Sequence, residues 1–248
     1  MENKRNFTII AGPCVFSSFE ELKNIVIELK KLGIEYVRAG TFKLRTSPDS
    51  FQGLRDEGME IIRQIKEKFS IKFVVEFTTI EQVKKYKDYV DIIQIGTRNM
   101  FNYELLKAVG KINKTILLKR GFSATYNEFI NASKYISNEG NSDIILCERG
   151  IRTFETETRN TLDIQAIPYL KKHTNYKVFL DPSHSSGKRY MVDALCRAGL
   201  ACGADGLIIE VHIDPNKSLC DSEQIIDISE LSKIIEYKDT YLKLFKWN

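Results

Sequence analysis

A chain of 248 residues that is 43% hydrophobic and 28% charged can bury a sizeable core, as one large domain or two small ones. Its formal charge of +4 is spread along the chain without a basic block or an interleaved aromatic run, which argues against nucleic acid as a partner. No stretch approaches the roughly 18 apolar residues of a membrane span, and Met1 to Asn6 lead into the first apolar run without the long apolar region and small-residue cleavage site of a secretion signal, so the expectation is a cytoplasmic protein with no membrane partner.

Short β-branched runs alternate with amphipathic segments of helix length. Phe7–Gly12 reads as a strand and Phe19–Leu32 as a helix, with Leu22, Ile25, Val26 and Leu29 at helical spacing and Gly33 as its stop. Glu35–Gly40 is the second strand, followed by a long loop and a helix from about Leu54 to Phe69. Six more strands are expected at Lys72–Glu76, Asp91–Ile95, Thr115–Lys119, Asp143–Glu148, Lys177–Asp181 and Gly206–Glu210. Helices are expected near 79–87, 102–111, 126–138, 163–173 and 188–202, with a last one around 227–245.

This makes eight strand-and-helix units in about the length of a (β/α)8 TIM barrel, so residues 1–248 are expected to form a single catalytic barrel with no added regulatory domain. The near-continuous apolar strands suit a parallel sheet covered by helices. A doubly wound open sheet is the runner-up. Polar placement favours the barrel: Arg38, Glu76, Arg98, Lys119, Glu148, Arg149, Asp181, His184 and Glu210 all fall at or just past the C-terminal ends of strands. In a barrel, that face carries the active site.

Two constellations stand out on that face. Cys14 follows strand one, His184 follows strand seven, Glu210 ends strand eight and Asp221 lies in the loop beyond. Thiolate, imidazole and carboxylates of this kind suit a divalent ion, and manganese, iron, cobalt and zinc all remain open. The competing reading is a buried cysteine and a loop histidine satisfied by hydrogen bonds; His212 and Cys220 are lower-ranked alternative ligands. The five cysteines (Cys14, Cys147, Cys196, Cys202 and Cys220) are odd in number and lack a CxxC pair, so most are expected to be free thiols. The second constellation is cationic: Arg38, Lys43, Arg45, Arg98, Lys119 and Arg149 crowd the strand ends, where buried charge needs a counter-ion. A substrate bearing phosphate and carboxylate would supply it.

The segments that carry these residues resemble a known family. Ala11–Cys14, Val37–Pro48 with Ser50–Leu54, Gly96–Met100, Leu117–Gly121, Glu148–Glu155, Thr158–Asp163, Asp181–His184 and Ile209–His212 are similar, in order, to 3-deoxy-7-phosphoheptulonate (DAHP) synthases, in the branch related to 3-deoxy-octulosonate 8-phosphate synthase. The resemblance implies a barrel transferase of aromatic amino-acid biosynthesis, the shikimate pathway, that condenses phosphoenolpyruvate with erythrose 4-phosphate, acting as a dimer or tetramer. It implies one divalent metal ion on Cys14, His184, Glu210 and Asp221. It places phosphoenolpyruvate on Arg38, Lys43, Arg98, Lys119 and Arg149, the sugar phosphate on Arg45 and Thr46, and Glu76 near the reacting carbon or its water. Lys43 is the expected proton-transfer residue, with a purely electrostatic clamp as the alternative.

Two departures from the family pattern are expected to matter. Leu44 stands where the family usually has proline, which predicts a looser sugar-phosphate loop. Leu219-Cys220-Asp221 replaces a Leu-Ser-Asp segment, which makes Asp221 a less secure match than Cys14 or His184. The octulosonate synthase, which uses arabinose 5-phosphate and carries Asn before the arginine that corresponds to Arg45, is the alternative activity. A non-catalytic phosphate-sugar binding barrel is the alternative from a different class.

Overall fold

The computed structural model describes residues 7–44 and 49–244. Eight strands, β1 (Thr8–Gly12), β2 (Tyr36–Arg38), β3 (Lys72–Glu76), β4 (Ile92–Ile95), β5 (Thr115–Lys119), β6 (Ile144–Glu148), β7 (Lys177–Leu180) and β8 (Gly206–Glu210), each pair in parallel with the next. β1 also pairs with β8 over the full strand, from Thr8 against Gly206 to Gly12 against Glu210. That pairing closes the barrel and rules out the open sheet. β2 is shorter than the apolar run around it, but its flanks stay on the ladder: Lys72 N donates to Glu35 O and Ala39 N to Val74 O.

Outside the strands lie α1 (Phe19–Lys31), α2 (Arg55–Phe69), α3 (Ile80–Tyr86), α4 (Tyr103–Gly110), α5 (Tyr126–Ser137), α6 (Ala166–His173), α7 (Pro182–Ser186), α8 (Arg189–Ala201) and α9 (Ile228–Leu244). Polar side chains set several starts. Ser18 accepts from Glu21 N ahead of α1, Thr79 accepts from Gln82 N ahead of α3, and Thr125 forms a reciprocal capping box with Glu128 ahead of α5. α6 begins three residues later than its pattern predicts, and Asp163 instead accepts from Arg120 Nη1 at 2.7 Å and from the Tyr126 hydroxyl at 2.8 Å.

Side-chain alternation divides the core in two. Ile10, Val74, Ile92, Leu117, Ile145, Cys147, Phe179 and Ile208 fill the barrel interior. Their strand neighbours face outward and meet the helices in a larger cluster that includes Leu22, Ile25, Val26 and Leu29 of α1. Each fully buried aliphatic or aromatic side chain contributes roughly 1.5–3 kcal/mol through removal from water, so the interior layer and the outer layer both hold the strands in register.

Candidate active site at the C-terminal mouth of the barrel

The inward-facing parity of each strand, continued two residues towards its C-terminal end, generates the site. Tyr36 leads to Arg38, Val74 to Glu76, Ile92 to Gln94, Leu117 to Lys119, Cys147 to Arg149, Phe179 to Asp181 and Ile208 to Glu210, so polar side chains sit directly above the apolar plug. Of these, Arg38, Glu76, Gln94, Lys119 and Arg149 line a cavity of about 320 Å3, together with Cys14, Lys43, Arg98, His184 and Asp221. Asp181 and Glu210 are buried behind it, paired with Lys119 and Arg38. Arg45 and Thr46 lie outside the described residues.

His184 is aimed by a helix that strand-and-helix alternation does not anticipate. Asp181 caps α7 by accepting from His184 N at 2.8 Å, Pro182 occupies its first turn, and Gly187 ends it with a left-handed φ of +68°. Burial outweighs the neighbouring Asp181 and Glu210 carboxylates and pushes the His184 imidazole down to about 4, so the ring is neutral near pH 7. Its Nδ1 faces Asp181 Oδ2 at 2.8 Å and therefore carries the proton, leaving Nε2 as an acceptor 3.3 Å from Glu210 Oε1. A neutral imidazole oriented by a carboxylate is the form that binds metal ions.

Around that nitrogen the predicted donors converge. Cys14 Sγ lies 3.3 Å from Asp221 Oδ2 and 3.5 Å from Cys220 Sγ. His184, Glu210 and Asp221 present donor atoms all within 4.8 Å of one another, as do Cys14, Cys220 and Asp221. Glu210 Oε1 is buried without a hydrogen bond, although Arg38 Nη2 and His184 Nε2 approach it at 3.0 and 3.3 Å. The Lys43 ammonium hydrogen-bonds both Cys14 Sγ and, at 2.7 Å, Asp221 Oδ2. A buried group of carboxylates, thiol and neutral imidazole gathered about a cation, with one carboxylate oxygen unsatisfied, fits a divalent ion.

Charge is held firmly in this cluster. Burial disfavours the Glu210 carboxylate, yet His184, Arg38 and Lys43 hold it at about 2. For Lys43, burial works against the charge, and the facing Cys14, Glu210 and Asp221 outweigh it and raise the ammonium well above its usual range. Burial, the Cys220 contact and Glu210 push the Cys14 thiol up, against the pull of Lys43. The cluster therefore rests as ammonium, carboxylates and thiol, and a divalent ion would take the place of the thiol proton.

The cationic half of the cavity is differently built. Arg38 is buried, and its Nε and Nη1 have no hydrogen-bond partner among the described residues. Arg149 is also buried; its Nη1 donates to Gly150 O at 3.4 Å, and no carboxylate pairs with it among the described residues. Burial, with the nearby Arg159 cation, pulls Arg149 down to about 10 despite the pull of Asp181 in the other direction. Its guanidinium stands 4.9 Å from the Phe122 ring centroid, with exposed Arg98 over the same ring at 5.7 Å. Lys119 is paired with Asp181. On β3, beside the strand that carries Arg38, Glu76 Oε2 accepts from Gln94 Nε2 at 2.9 Å, and Gly96 makes room for it, since a Cβ there would lie 2.0 Å from Glu76 Oε1. Buried guanidinium donors without partners call for an anion with several oxygens.

Comparison with known proteins places this arrangement. The pattern of the DAHP synthetase I family matches residues 2–244. The chain belongs to this family. It is 47% identical over 230 residues to the phospho-2-dehydro-3-deoxyheptonate aldolase of Thermotoga maritima, a match that covers 93% of the chain and 68% of the relative. The solved structure of the Thermotoga maritima DAHP synthase superposes with a TM-score of 0.92 at 45% identity, covering 96% of this chain and 70% of that one. The chain is also 31% identical over 251 residues to the 2-dehydro-3-deoxyphosphooctonate aldolase of Fusobacterium nucleatum, covering 94% of the chain and 89% of the relative.

Within this DAHP synthetase I barrel, the structure brings Cys14, Arg38, Lys43, Glu76, Arg98, Lys119, Arg149, His184 and Asp221 to one cavity, with Glu210 behind it. Of the two alternative ligands, Cys220 touches Cys14, whereas His212 turns away to meet Glu21 Oε1 at 2.8 Å. Glu148, a strand-end carboxylate, also faces away from the cavity and pairs with Arg120 at 2.8 Å. Sequence reasoning passed over Gln94, Phe122, Arg159 and Gln224. Inward parity after Ile92 would have found Gln94; the other three lie in loops, where periodicity gives no direction.

Proposed function

We infer that the chain condenses phosphoenolpyruvate with erythrose 4-phosphate and water to give 3-deoxy-arabino-heptulosonate 7-phosphate and inorganic phosphate, the first step of the shikimate pathway. The observation that carries this reading is the pairing, in one cavity, of buried arginine donors lacking partners with the Cys14, His184, Glu210 and Asp221 cluster. Family membership supplies the substrates.

In this reading Arg38, Lys119 and Arg149 hold the carboxylate and phosphate of phosphoenolpyruvate, with Arg98 closing over them from the exposed side. Holding two anionic substrates in attack geometry can remove roughly 7–11 kcal/mol from the barrier in favourable cases. Carbon 3 of phosphoenolpyruvate adds to the aldehyde carbon of the sugar phosphate, and water adds to carbon 2. Loss of phosphate from carbon 2 then leaves the keto group. Lys43, held as an ammonium by its anionic neighbours, donates a proton to the former aldehyde oxygen. Glu76, steadied by Gln94, is placed to take a proton from the water that adds to carbon 2. Cys14, His184, Glu210 and Asp221 would hold one divalent ion, manganese, iron, cobalt or zinc, whose chemistry is Lewis-acid polarisation of the aldehyde oxygen. Arg45 and Thr46 would receive the phosphate of the sugar. The same reading takes the protein to work in the cytoplasm as a homo-oligomer, a dimer or tetramer.

The test is phosphate release from phosphoenolpyruvate with erythrose 4-phosphate in parallel with arabinose 5-phosphate. Turnover is expected with the four-carbon sugar, lost on chelation and restored by Mn2+. Release driven by arabinose 5-phosphate instead would reassign the chain to the octulosonate reaction. Tight phosphoenolpyruvate binding without release from either sugar would mark a binding protein.

A further inference from the structure

A pair of side chains outside the donor cluster decides which oxygen each carboxylate turns inward. Arg159 lies between β6 and α6, and Gln224 lies between β8 and α9. The segment bearing Arg159 is stitched along α7: Arg159 N donates to Ser186 O and Asn160 N to Ser185 O, both at 2.9 Å, and Asn160 Nδ2 donates to His184 O at 3.0 Å. Gly187 presses on it from below, since a Cβ there would lie 2.7 Å from Arg159 Cβ.

From that seat Arg159 Nη1 donates to Gln224 Oε1 at 3.0 Å and stands 3.5 Å from Asp221 Oδ1. With the amide oxygen of Gln224 taken up by Arg159, its NH2 end faces the interior, where Nε2 donates to Glu210 Oε2. From outside the cluster, Arg159 thus holds Asp221 by Oδ1 and Gln224 holds Glu210 by Oε2, while inside it Lys43 bonds Asp221 Oδ2 at 2.7 Å. The other oxygens face the cluster: Asp221 Oδ2 lies 3.3 Å from Cys14 Sγ, and Glu210 Oε1 lies 3.3 Å from His184 Nε2 without a hydrogen bond of its own. Gln224 is buried and contributes a neutral donor, which orients Glu210 without cancelling its charge. Arg159 carries the charge of the pair where its side chain is 37% exposed and solvent weakens it. Gln224 N also donates to Asp221 O at 3.1 Å, closing the turn in which Asp221 adopts a left-handed φ of +55°.

We propose that Arg159 and Gln224 form one outer clamp that presents Asp221 Oδ2 and Glu210 Oε1 to a divalent ion, so that the affinity and coordination geometry of the ion depend on the pair acting together. The clamp rests on the metal reading given above. Both are positioning residues: Arg159 acts through Gln224 and Asp221, Gln224 through Glu210.

Metal-stripped wild type, Arg159→Gln, Gln224→Leu and the double variant would be titrated with Mn2+ by calorimetry, then loaded with Co2+ for absorption spectra. Partners of metal ligands typically contribute about 10–100-fold in affinity. Each single variant is therefore expected to lose about that much Mn2+ affinity, the double variant no more than the weaker single, and the Co2+ ligand-field bands to shift in all three. Arg159→Gln keeps a polar side chain at a partly exposed position and tests the clamp even where Gln224→Leu folds poorly. Unchanged Mn2+ affinity and an unchanged Co2+ spectrum in Arg159→Gln would overturn the clamp while leaving the metal site standing; so would a double loss equal to the product of the two single losses, which means two independent supports. Wild type that takes up no Mn2+ would instead overturn the metal reading itself.

Discussion

Arg149 carries its charge in a place where burial, with the nearby Arg159, has lowered its pKa to about 10 and where no carboxylate among the described residues pairs with it. A protein retains such a group only where something else supplies the negative charge. Charge-assisted hydrogen bonds contribute about 1.5–3 kcal/mol each. Arg149→Met is accordingly expected to raise the KM for phosphoenolpyruvate at least about tenfold, with a smaller change for erythrose 4-phosphate, in steady-state assays of phosphate release. Arg149→Lys should recover only part of this, because an ammonium lacks the planar fork. Equal losses for both substrates would count against a phosphoenolpyruvate-specific role. His184 makes the complementary case: with Asp181 holding its Nδ1 proton, Nε2 is committed to the donor cluster, and His184→Ala should abolish metal-dependent turnover in the same assay.

At the scale of elements, the mouth is braced by ion pairs that do no chemistry. Arg120, at the end of β5, joins Glu148 of β6 to Asp163 ahead of α6, and its Nε donates to Ala124 O at 2.9 Å. Breaking a buried pair from one side costs roughly 3–5 kcal/mol because the remaining charge is stranded. Arg120→Met should lower the stability measured by urea unfolding by about that amount. A second brace ties α1 to the segment after β8 through Glu21 and His212. Partial burial raises the Glu21 carboxyl, but hydrogen bonds from His212 and Ser17 outweigh it and bring the group from 4.5 to about 2. A carboxyl lowered in the folded state stabilises the fold above its unfolded pKa and loses that contribution as pH falls through the folded one. Wild-type stability should therefore fall more steeply than that of Glu21→Gln between pH 4.5 and about 2, as urea midpoints across that window would reveal.

For the whole molecule, the donor cluster predicts coupling between metal binding and folding. Cys14 belongs to the loop after β1, His184 to α7, and Glu210 and Asp221 to β8 and the loop beyond, so an ion held by all four joins the two ends of the barrel where β1 meets β8. A ligand that binds only the folded state at a hundred times its Kd adds about 2.7 kcal/mol of stability. Thermal unfolding with and without saturating Mn2+ should show a rise in midpoint for wild type and none for His184→Ala. A rise of the same size in both would place the stabilising ion elsewhere.

The sequence by itself determined the eight strands, every α-helix but the short α7 and much of the mouth, because both kinds of information are local. A parallel barrel strand is an uninterrupted apolar run, and its period of two continues past the strand end, so Arg38, Glu76, Lys119 and Arg149 could be assigned to the interior from their spacing alone. Cys14 and His184 were legible by type and position. The tertiary structure decided what depends on closure and on loops. It brought β1 beside β8, turned His212 towards Glu21 and away from the cluster, and made Glu148 a brace. It also placed Arg159 and Gln224, residues 65 apart in sequence, in hydrogen-bond contact beside Asp221. The reason is physical: periodicity fixes direction only where backbone dihedrals repeat, and the direction of a loop side chain is set by which distant groups the closed barrel brings within reach.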